Sequence, residues 1–311
     1  PDDKTWIVLE VSSFQLDLCP SYRPDIAVLL NLTPDHIDRH GSMENYCAVK
    51  ERLSERSKSS DYNIAVICTD DPYMQKVYAR AKDLDLRKVV EVSTEKILSS
   101  GVYVEGDLMS DTLNDTGMKA GNLSRIPTLK GIHNYQNAAS AYVAATLIGI
   151  TPEKVWDSMQ DFPGLNHRQF LVRTINGVTY VNDSKSTNAA SAAVALGYRD
   201  NVYWIVGGRK KKTGLDGLEE FFSRIKHAFL IGESTEDFAD WFDKYGIEFS
   251  RCYDLDKAVR CAHDMAQKNR GQPGGAGVVL LSPACASFDQ FTSFEDRGDK
   301  FTDFVKALDE N

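Results

Sequence analysis

The chain is 311 residues long, 42% hydrophobic and 26% charged, with a formal net charge of −9. That is ample length for two buried cores and an ordinary globular composition, which excludes a disordered chain. The acidic balance argues against nucleic acid and anionic membrane surfaces as partners, so an anionic ligand must be met by local basic clusters or helix N-termini.

Pro1-Asp2-Asp3-Lys4-Thr5 has no signal-peptide pattern and reads as a loop entering a strand. Short apolar runs then alternate with helical patterns. Strands are expected at Trp6–Leu9, Ile26–Leu30, Asn63–Ile67 and Val89–Val92, and helices over Met43–Ser59 and Tyr73–Lys82. Such alternation predicts βαβ units and a parallel sheet. From Gly101 to Leu129 the pattern is short, weakly alternating and punctuated by Gly and Asn, which predicts hairpins at a sheet margin. His133–Leu147 is helical, with Tyr135, Ala138, Ala139 and Tyr142 on one face. Thr151 and Pro152 supply an N-cap and a first helical residue.

Pro163-Gly164-Leu165-Asn166 marks a boundary, giving domains 1–165 and 166–311. Beyond it, strands are expected near Phe170–Ile175, Val178–Val181, Val202–Val206, Ala228–Ile231 and Val278–Leu281. Helices lie between them around Ala189–Leu196, Asp216–Arg224, Glu236–Lys244 and Leu255–Gln267. The expected fold is therefore α/β, with a mostly parallel sheet domain followed by a Rossmann-like, doubly wound C-terminal domain. Cys19, Cys47, Cys68, Cys252, Cys261 and Cys285 form no C-x-x-C pair, which points to reduced thiols in a cytoplasmic protein. No apolar run approaches the roughly 18 residues of a transmembrane helix.

Chemistry is expected where apolar strands end. Gly277–Leu281 runs into Ser282-Pro283-Ala284-Cys285-Ala286-Ser287-Phe288-Asp289-Gln290-Phe291. Its small residues let backbone N–H groups approach an anion, while Ser287 offers a hydroxyl and Phe288, Phe291 and Phe294 offer walls. An ordinary strand end packed by aromatics reads equally well from local sequence. Glu10 follows an apolar run, where a carboxylate is costly if buried unpaired and favourable beside a metal ion. His36 lies between two aspartates in Asn31-Leu32-Thr33-Pro34-Asp35-His36-Ile37-Asp38-Arg39. Lys50, fourteen residues on, is locally one more helix lysine. Asn134 and Asn137 share a helix face through their spacing of three, with N-capping by Asn134 as the plain alternative. Arg168 opens the second half, and Asn182-Asp183-Ser184-Lys185-Ser186-Thr187-Asn188 joins a strand to a helix, where backbone N–H groups favour anions. Gly207-Gly208-Arg209-Lys210-Lys211-Lys212 is the one dense basic cluster, either a solvated run or a face toward an anion.

SPACASFDQF with the following Phe294-Glu295-Asp296-Arg297-Gly298, N-x-T-x-D-H-x-D-R, G-x-H-N-x-x-N and N-D-S-K-x-T-N resemble the Mur ligases over nearly the whole chain. Within that family they closely resemble the branch that adds D-glutamate to UDP-N-acetylmuramoyl-L-alanine in cytoplasmic peptidoglycan precursor synthesis. The resemblance begins late. A uridine-nucleotide domain and a phosphate loop would come first, yet no Gly here is followed by Lys, so G-x-x-x-x-G-K-[ST] is absent. It implies an N-terminally truncated fragment: a partial P-loop-type central ATPase domain over 1–165 and an amino-acid-binding domain over 166–311.

The same resemblance implies ATP, two Mg²⁺ ions and a carbamylated lysine. Glu10, His36 and Lys50, the last as carbamate, would hold metal. Asn134, Asn137, Arg168 and Asp183 would contact ATP. Lys185 and Thr187 would serve the reacting end, and Ser12 and Gln15 the muramoyl substrate. Lys211, Ser287, Phe288 and Phe294 would form the D-glutamate pocket, with Lys210 and Lys212 as rivals of Lys211. A substrate carboxylate would attack the γ-phosphate, and the amine of D-glutamate would displace phosphate from the acyl phosphate. The full-length protein is expected to be a monomer. These 311 residues alone are expected to bind ATP weakly and turn over negligibly. Two other readings stand beside this one: a related amide ligase with another acceptor, such as a folate polyglutamate ligase, and a non-catalytic remnant that only binds a ligand or partner.

Overall fold

The computed structural model describes residues 5–56, 62–85, 87–113, 118–129, 131–210, 214–272 and 275–309. They form two compact units, Pro1–Phe162 and Pro163–Asn311.

In unit 1 the order is α1 (Ser13–Leu18), β1 (Ile26–Leu29), α2 (Ile37–His40), α3 (Met43–Glu51), β2 (Ile64–Cys68), α4 (Pro72–Asp83), β3 (Lys88–Ser93), β4 (Val102–Glu105), β5 (Leu108–Asp111), β6 (Met118–Asn122), α5 (Ile132–Leu147) and α6 (Pro152–Gln160). The sheet runs in that same order from β1 to β6. β1 to β4 are parallel, and β4, β5 and β6 are antiparallel neighbours, as the expected hairpins require. β2 is buried along its whole length, which explains its uninterrupted Ile64-Ala65-Val66-Ile67-Cys68 run. α5 covers one face through Ala138, Ala139, Tyr142 and Val143, and Met74, Val77 and Ala81 of α4 pack against β-strand residues of the other cluster.

The expected strand at Trp6–Leu9 does not form. The segment is irregular and exposed, with Val8 at 94%. An apolar run gains strand geometry only from a ladder, and no described strand pairs with it. The helix expected over 43–59 stops at Glu51 and tightens into a 3₁₀ turn, Arg52–Ser54; residues 57–59 lie outside the described residues.

Unit 2 contains β7 (Phe170–Ile175), β8 (Val178–Asn182), α7 (Ala189–Gly197), β9 (Val202–Gly207), β10 (Ile225–Ile231), α8 (Thr235–Tyr245), β11 (Phe249–Tyr253), α9 (Leu255–Asn269), β12 (Val278–Leu281) and α10 (Phe294–Lys306). Its sheet order is β11-β10-β9-β12-β8-β7, parallel except for β7. Two apolar clusters, one on each face, sandwich the sheet: Trp204, Phe238 and Phe242 on one, Tyr203, Phe229 and Phe301 on the other. The late return of β12 between β9 and β8 creates a switch point, and the loops leaving these three neighbours emerge together at their carboxyl ends. Two differences from expectation stand out. The segment over Asp216–Arg224 is a 3₁₀ helix, Glu219–Arg224, and β11 and α10 were not anticipated.

Candidate functional site

The first cluster gathers on unit 1. α3 places Tyr46 and Lys50 four residues apart on one face. Lys50 Nζ sits 5.5 Å from the centre of the Tyr46 ring, and the His36 ring centre is 6.3 Å from the same ring. Phe14 of α1 packs edge-on against His36 at 5.0 Å. His36 has φ 55 at the entrance to α2, a left-handed conformation supported by its N–H donating to Asp35 Oδ1 at 2.9 Å. Asp35 Oδ2 stands 3.5 Å from His36 Nε2. Burial pushes the Lys50 ammonium below the usual lysine range, against the opposing pull of Asp35 and Glu10. Glu10, Asp35, His36 and Lys50 thus share one neighbourhood.

Among the described residues, no three His, Cys, Asp or Glu side chains converge into a group able to hold a metal ion. Glu10 is exposed.

Ser12 and Gln15 face each other. The Ser12 hydroxyl accepts from Gln15 N–H at 3.3 Å, and Gln15 Oε1 accepts from Ser12 N–H at 2.9 Å and from the Ser12 hydroxyl at 3.0 Å. This is a capping box that starts α1. The S-x-x-Q signal was readable in the sequence.

Asn134 and Asn137 are half-buried in the first turns of α5. Between them Gln136, unremarked in the sequence, is buried. Its carbonyl accepts from Asn31 Nδ2 at 2.8 Å, and its amide donates to Cys68 Sγ at 2.7 Å and Asp70 Oδ2 at 3.3 Å. Asp70 also accepts from Ser93 Oγ and from the backbone and hydroxyl of Thr94, and these donors hold its carboxyl below the usual range despite burial. The loop that carries His36 is therefore tied through Asn31 to the helix that carries Asn134 and Asn137.

The second cluster lies on unit 2, at its switch point. Asp183 is 5% exposed. Its Oδ1 accepts from Gln169 N–H at 3.0 Å and its Oδ2 from the Ser282 hydroxyl at 2.8 Å. Burial raises its carboxyl to about 6, against the lowering effect of those donors and of Arg199 and Arg168. Arg168 itself is exposed. Lys185 is half-buried, its Nζ 5.7 Å from the centre of the Phe294 ring. Asn188 caps α7 by accepting from Ser191 N–H at 2.8 Å, and half-buried Thr187 precedes it. Ser287 is buried and its carbonyl turns the chain by accepting from Gln290 and Phe291 N–H. Phe288 is 64% exposed. Of the basic cluster, Arg209 pairs with Glu233 at 2.9 Å and Lys210 with Asp237. Lys211 and Lys212 lie outside the described residues. Ser287, Lys185 and Phe294 come together at one end of the sheet through α10 and the loops after β8 and β12.

Residues 1–145 match the Mur ligase middle domain. UDP-N-acetylmuramoylalanine–D-glutamate ligase of Paramagnetospirillum magneticum is 45% identical over 97% of this chain and 64% of its own length. The enzyme of that name from Rhizobium etli is 40% identical over 99% of this chain and 64% of its own. The chain thus spans just under two-thirds of the length of these relatives. Among solved structures, a folylpolyglutamate synthase of Mycobacterium tuberculosis complexed with ADP matches with TM-score 0.62 at 16% identity, over 92% of this chain and 64% of that one. UDP-N-acetylmuramate-alanine ligase of Thermotoga maritima matches with TM-score 0.61 at 13% identity, over 95% and 62%. These two speak for the fold. Identity of 40–45% along nearly its whole length shows that the chain belongs to the Mur ligase family.

Proposed function

We propose that these residues carry the metal-binding and amino-acid-binding parts of an ATP-dependent ligase that joins D-glutamate to UDP-N-acetylmuramoyl-L-alanine through an acyl phosphate. The observation that carries this reading is the gathering of His36, Asp35 and Lys50 around Tyr46, with Glu10 acting on Lys50, in a chain up to 45% identical to enzymes of that name. Bound Mg²⁺ would neutralise charge on a transferring phosphoryl group. Glu10 and His36 would hold it together with Lys50 once CO₂ has converted that amine to a carbamate. A depressed ammonium favours the free amine that attacks CO₂, a proton leaves the nitrogen to solvent, and the product is an anionic oxygen donor that suits Mg²⁺. Asn134, Asn137, Arg168 and Asp183 would meet ATP, with Lys185 and Thr187 at the reacting end. Ser12 and Gln15 would meet the muramoyl substrate, and Lys211, Ser287, Phe288 and Phe294 the incoming amino acid.

The test is acceptor binding by the 311-residue chain, titrated calorimetrically with D-glutamate, L-glutamate, L-lysine and meso-diaminopimelate. D-glutamate should bind in preference to the other three. Preference for another acceptor would redirect the reading to a different amide ligase, and binding of none would remove it. The metal half has its own check: under ¹³CO₂ at mildly alkaline pH, a carbamate carbon resonance should appear and be lost in Lys50→Ala. A resonance indifferent to that substitution, or none in the wild type, sinks the carbamate. Turnover by this chain should be negligible, because no G-x-x-x-x-G-K-[ST] loop within it cradles the phosphates.

A further inference from the structure

Arg297, in the first turn of α10, is 1% exposed and among the largest fully buried side chains of the protein. A buried guanidinium normally meets a carboxylate, since desolvating an unpaired charge is costly. Here its partners are neutral. Nε donates to the Ser184 hydroxyl at 2.9 Å, Nη2 to the Ser184 carbonyl at 2.9 Å, and Nη1 to the Cys285 carbonyl at 3.1 Å. Among the described residues it makes no ion pair, although the Asp289 carboxylate favours its charged form.

The positions of those acceptors give the arrangement its meaning. Ser184 belongs to the loop after β8 and immediately precedes Lys185. Cys285 belongs to the loop after β12, two residues before Ser287. The third neighbour is Gly208, in the loop after β9, where an added Cβ would stand 3.3 Å from Nη1. That third loop is stitched to the second by reciprocal Arg209–Ala286 backbone hydrogen bonds of 2.9 and 3.0 Å. The circuit closes through the Ser184 hydroxyl, which donates to the Phe294 carbonyl at 2.8 Å, one turn before Arg297 on the same helix. Phe294 in turn packs against Lys185.

We propose that Arg297 is a positioning residue: its buried fork ties the loops after β8 and β12, the second already stitched to the loop after β9, and so sets Lys185, Ser287 and Phe294 relative to one another, with a cationic charge that no salt bridge neutralises left near a site for a carboxylate ligand. The clamp itself rests on the geometry. The ligand class rests on the reading under Proposed function. Lysine cannot reproduce the arrangement, because an ammonium is a point donor without the planar fork.

Cysteine chemistry tests it with internal controls. Cys285 is fully buried in the clamped loop, Cys252 is buried in β11 of the same unit, and Cys19 is exposed in unit 1. Iodoacetamide labelling of each, resolved by peptide mass spectrometry, reports local opening. In Arg297→Gln, Cys285 should label about tenfold faster or more while Cys252 keeps its wild-type rate, as local opening without global unfolding requires. Arg297→Lys should fall between the two and serves if the Gln variant does not fold. An unchanged Cys285 rate in a folded variant overturns the clamp, as does a parallel rise at Cys285 and Cys252, which would mean general destabilisation. D-glutamate titration then reads the charge: Arg297→Gln should weaken binding at least about tenfold, a loss of roughly 1.4 kcal/mol, and equal affinity overturns the electrostatic part. If the wild type binds no D-glutamate, the ligase reading fails while the labelling still decides the clamp.

Discussion

The two clusters gather charged and polar side chains in opposite ways. On unit 1, His36 and Lys50 stand around the Tyr46 ring beside an exposed Glu10, and among the described residues no three acidic, His or Cys side chains converge as a metal site. On unit 2, Asn182, Asp183, Ser184, Ser282 and Arg297 are buried and bonded mainly to one another and to backbone. A loose, partly solvated cluster can accept an ion or a chemical modification without dismantling structure. A closed network cannot; it holds a pocket's shape in advance and pays for binding geometry during folding. The first cluster should therefore respond to ligands, and the second to anything that disturbs packing.

The largest effect expected from this contrast comes from the exit of β9. Gly207 has φ +128, and an added Cβ would lie 2.0 Å from the Ile231 carbonyl oxygen of β10. Neither strand can retreat, since both are buried in a parallel sheet. Gly207→Ala should destabilise unit 2 by about 3 kcal/mol or more, read from its urea midpoint. Gly106 in the β4–β5 hairpin is the comparison, with φ +63 but nothing within 4 Å of its added Cβ. Gly106→Ala should cost unit 1 only about 1 kcal/mol. Equal costs at the two positions would break the claim that the second cluster is closed by direct backbone contact.

The next effect concerns Asp183. Its carboxyl is raised from 3.8 to about 6 by burial, so the folded state holds a proton that the unfolded state has released over that interval. Stability contributed this way is present below about pH 4 and is lost as pH rises through about 6. Asp183→Asn keeps the side-chain shape without the titration. The stability of the variant relative to wild type should grow by about 2–3 kcal/mol between pH 4 and pH 7, measured by urea unfolding of unit 2. Other carboxylates cancel in the difference. A flat difference would show the Ser282 and Gln169 hydrogen bonds fully offsetting burial.

On unit 1 the corresponding hub is smaller. Gln136→Leu removes the links to Asn31, Cys68 and Asp70, but Asp70 retains Ser93 and Thr94. A cost of about 1–2 kcal/mol follows, together with faster amide exchange in the Asn31–His36 loop. Unchanged exchange there would mean the loop is held without α5.

Much of this architecture was legible in the sequence because it is written in local patterns. β2 and β9 are uninterrupted apolar runs, and α4 and α6 begin with Asp71-Pro72 and Thr151-Pro152. The failures are of a different kind. Trp6–Leu9 has the composition of a strand, but pairing is decided by neighbours, and none of the described strands takes it. Arg297 looks like any charged residue in an amphipathic helix, and its buried hydrogen bonds reach Ser184, 113 residues away. Gln136 meets Asn31 across 105 residues. Motif reading located the loops; it could not show which side chains hold the loops to each other.

Ser12 carries the smallest and most discriminating effect. α1 is six residues long, too short to persist by itself. Leu16 anchors it in the core, and Ser13 Oγ lies 3.0 Å from His40 Nε2. Against that support, the capping box should be worth about 1 kcal/mol. Ser12→Ala frees the Gln15 amide, which should exchange several-fold faster while the Leu16 anchor holds the remainder of the turn. If Ser12 and Gln15 also meet the muramoyl substrate, binding must first open a hydrogen bond the free protein already makes. UDP-N-acetylmuramoyl-L-alanine should then raise Gln15 exchange in the wild type and leave it unchanged in Ser12→Ala. Protection of Gln15 by that substrate would instead mean that the box stays closed, and the first cluster would be more like the second than its exposed carboxylate suggests.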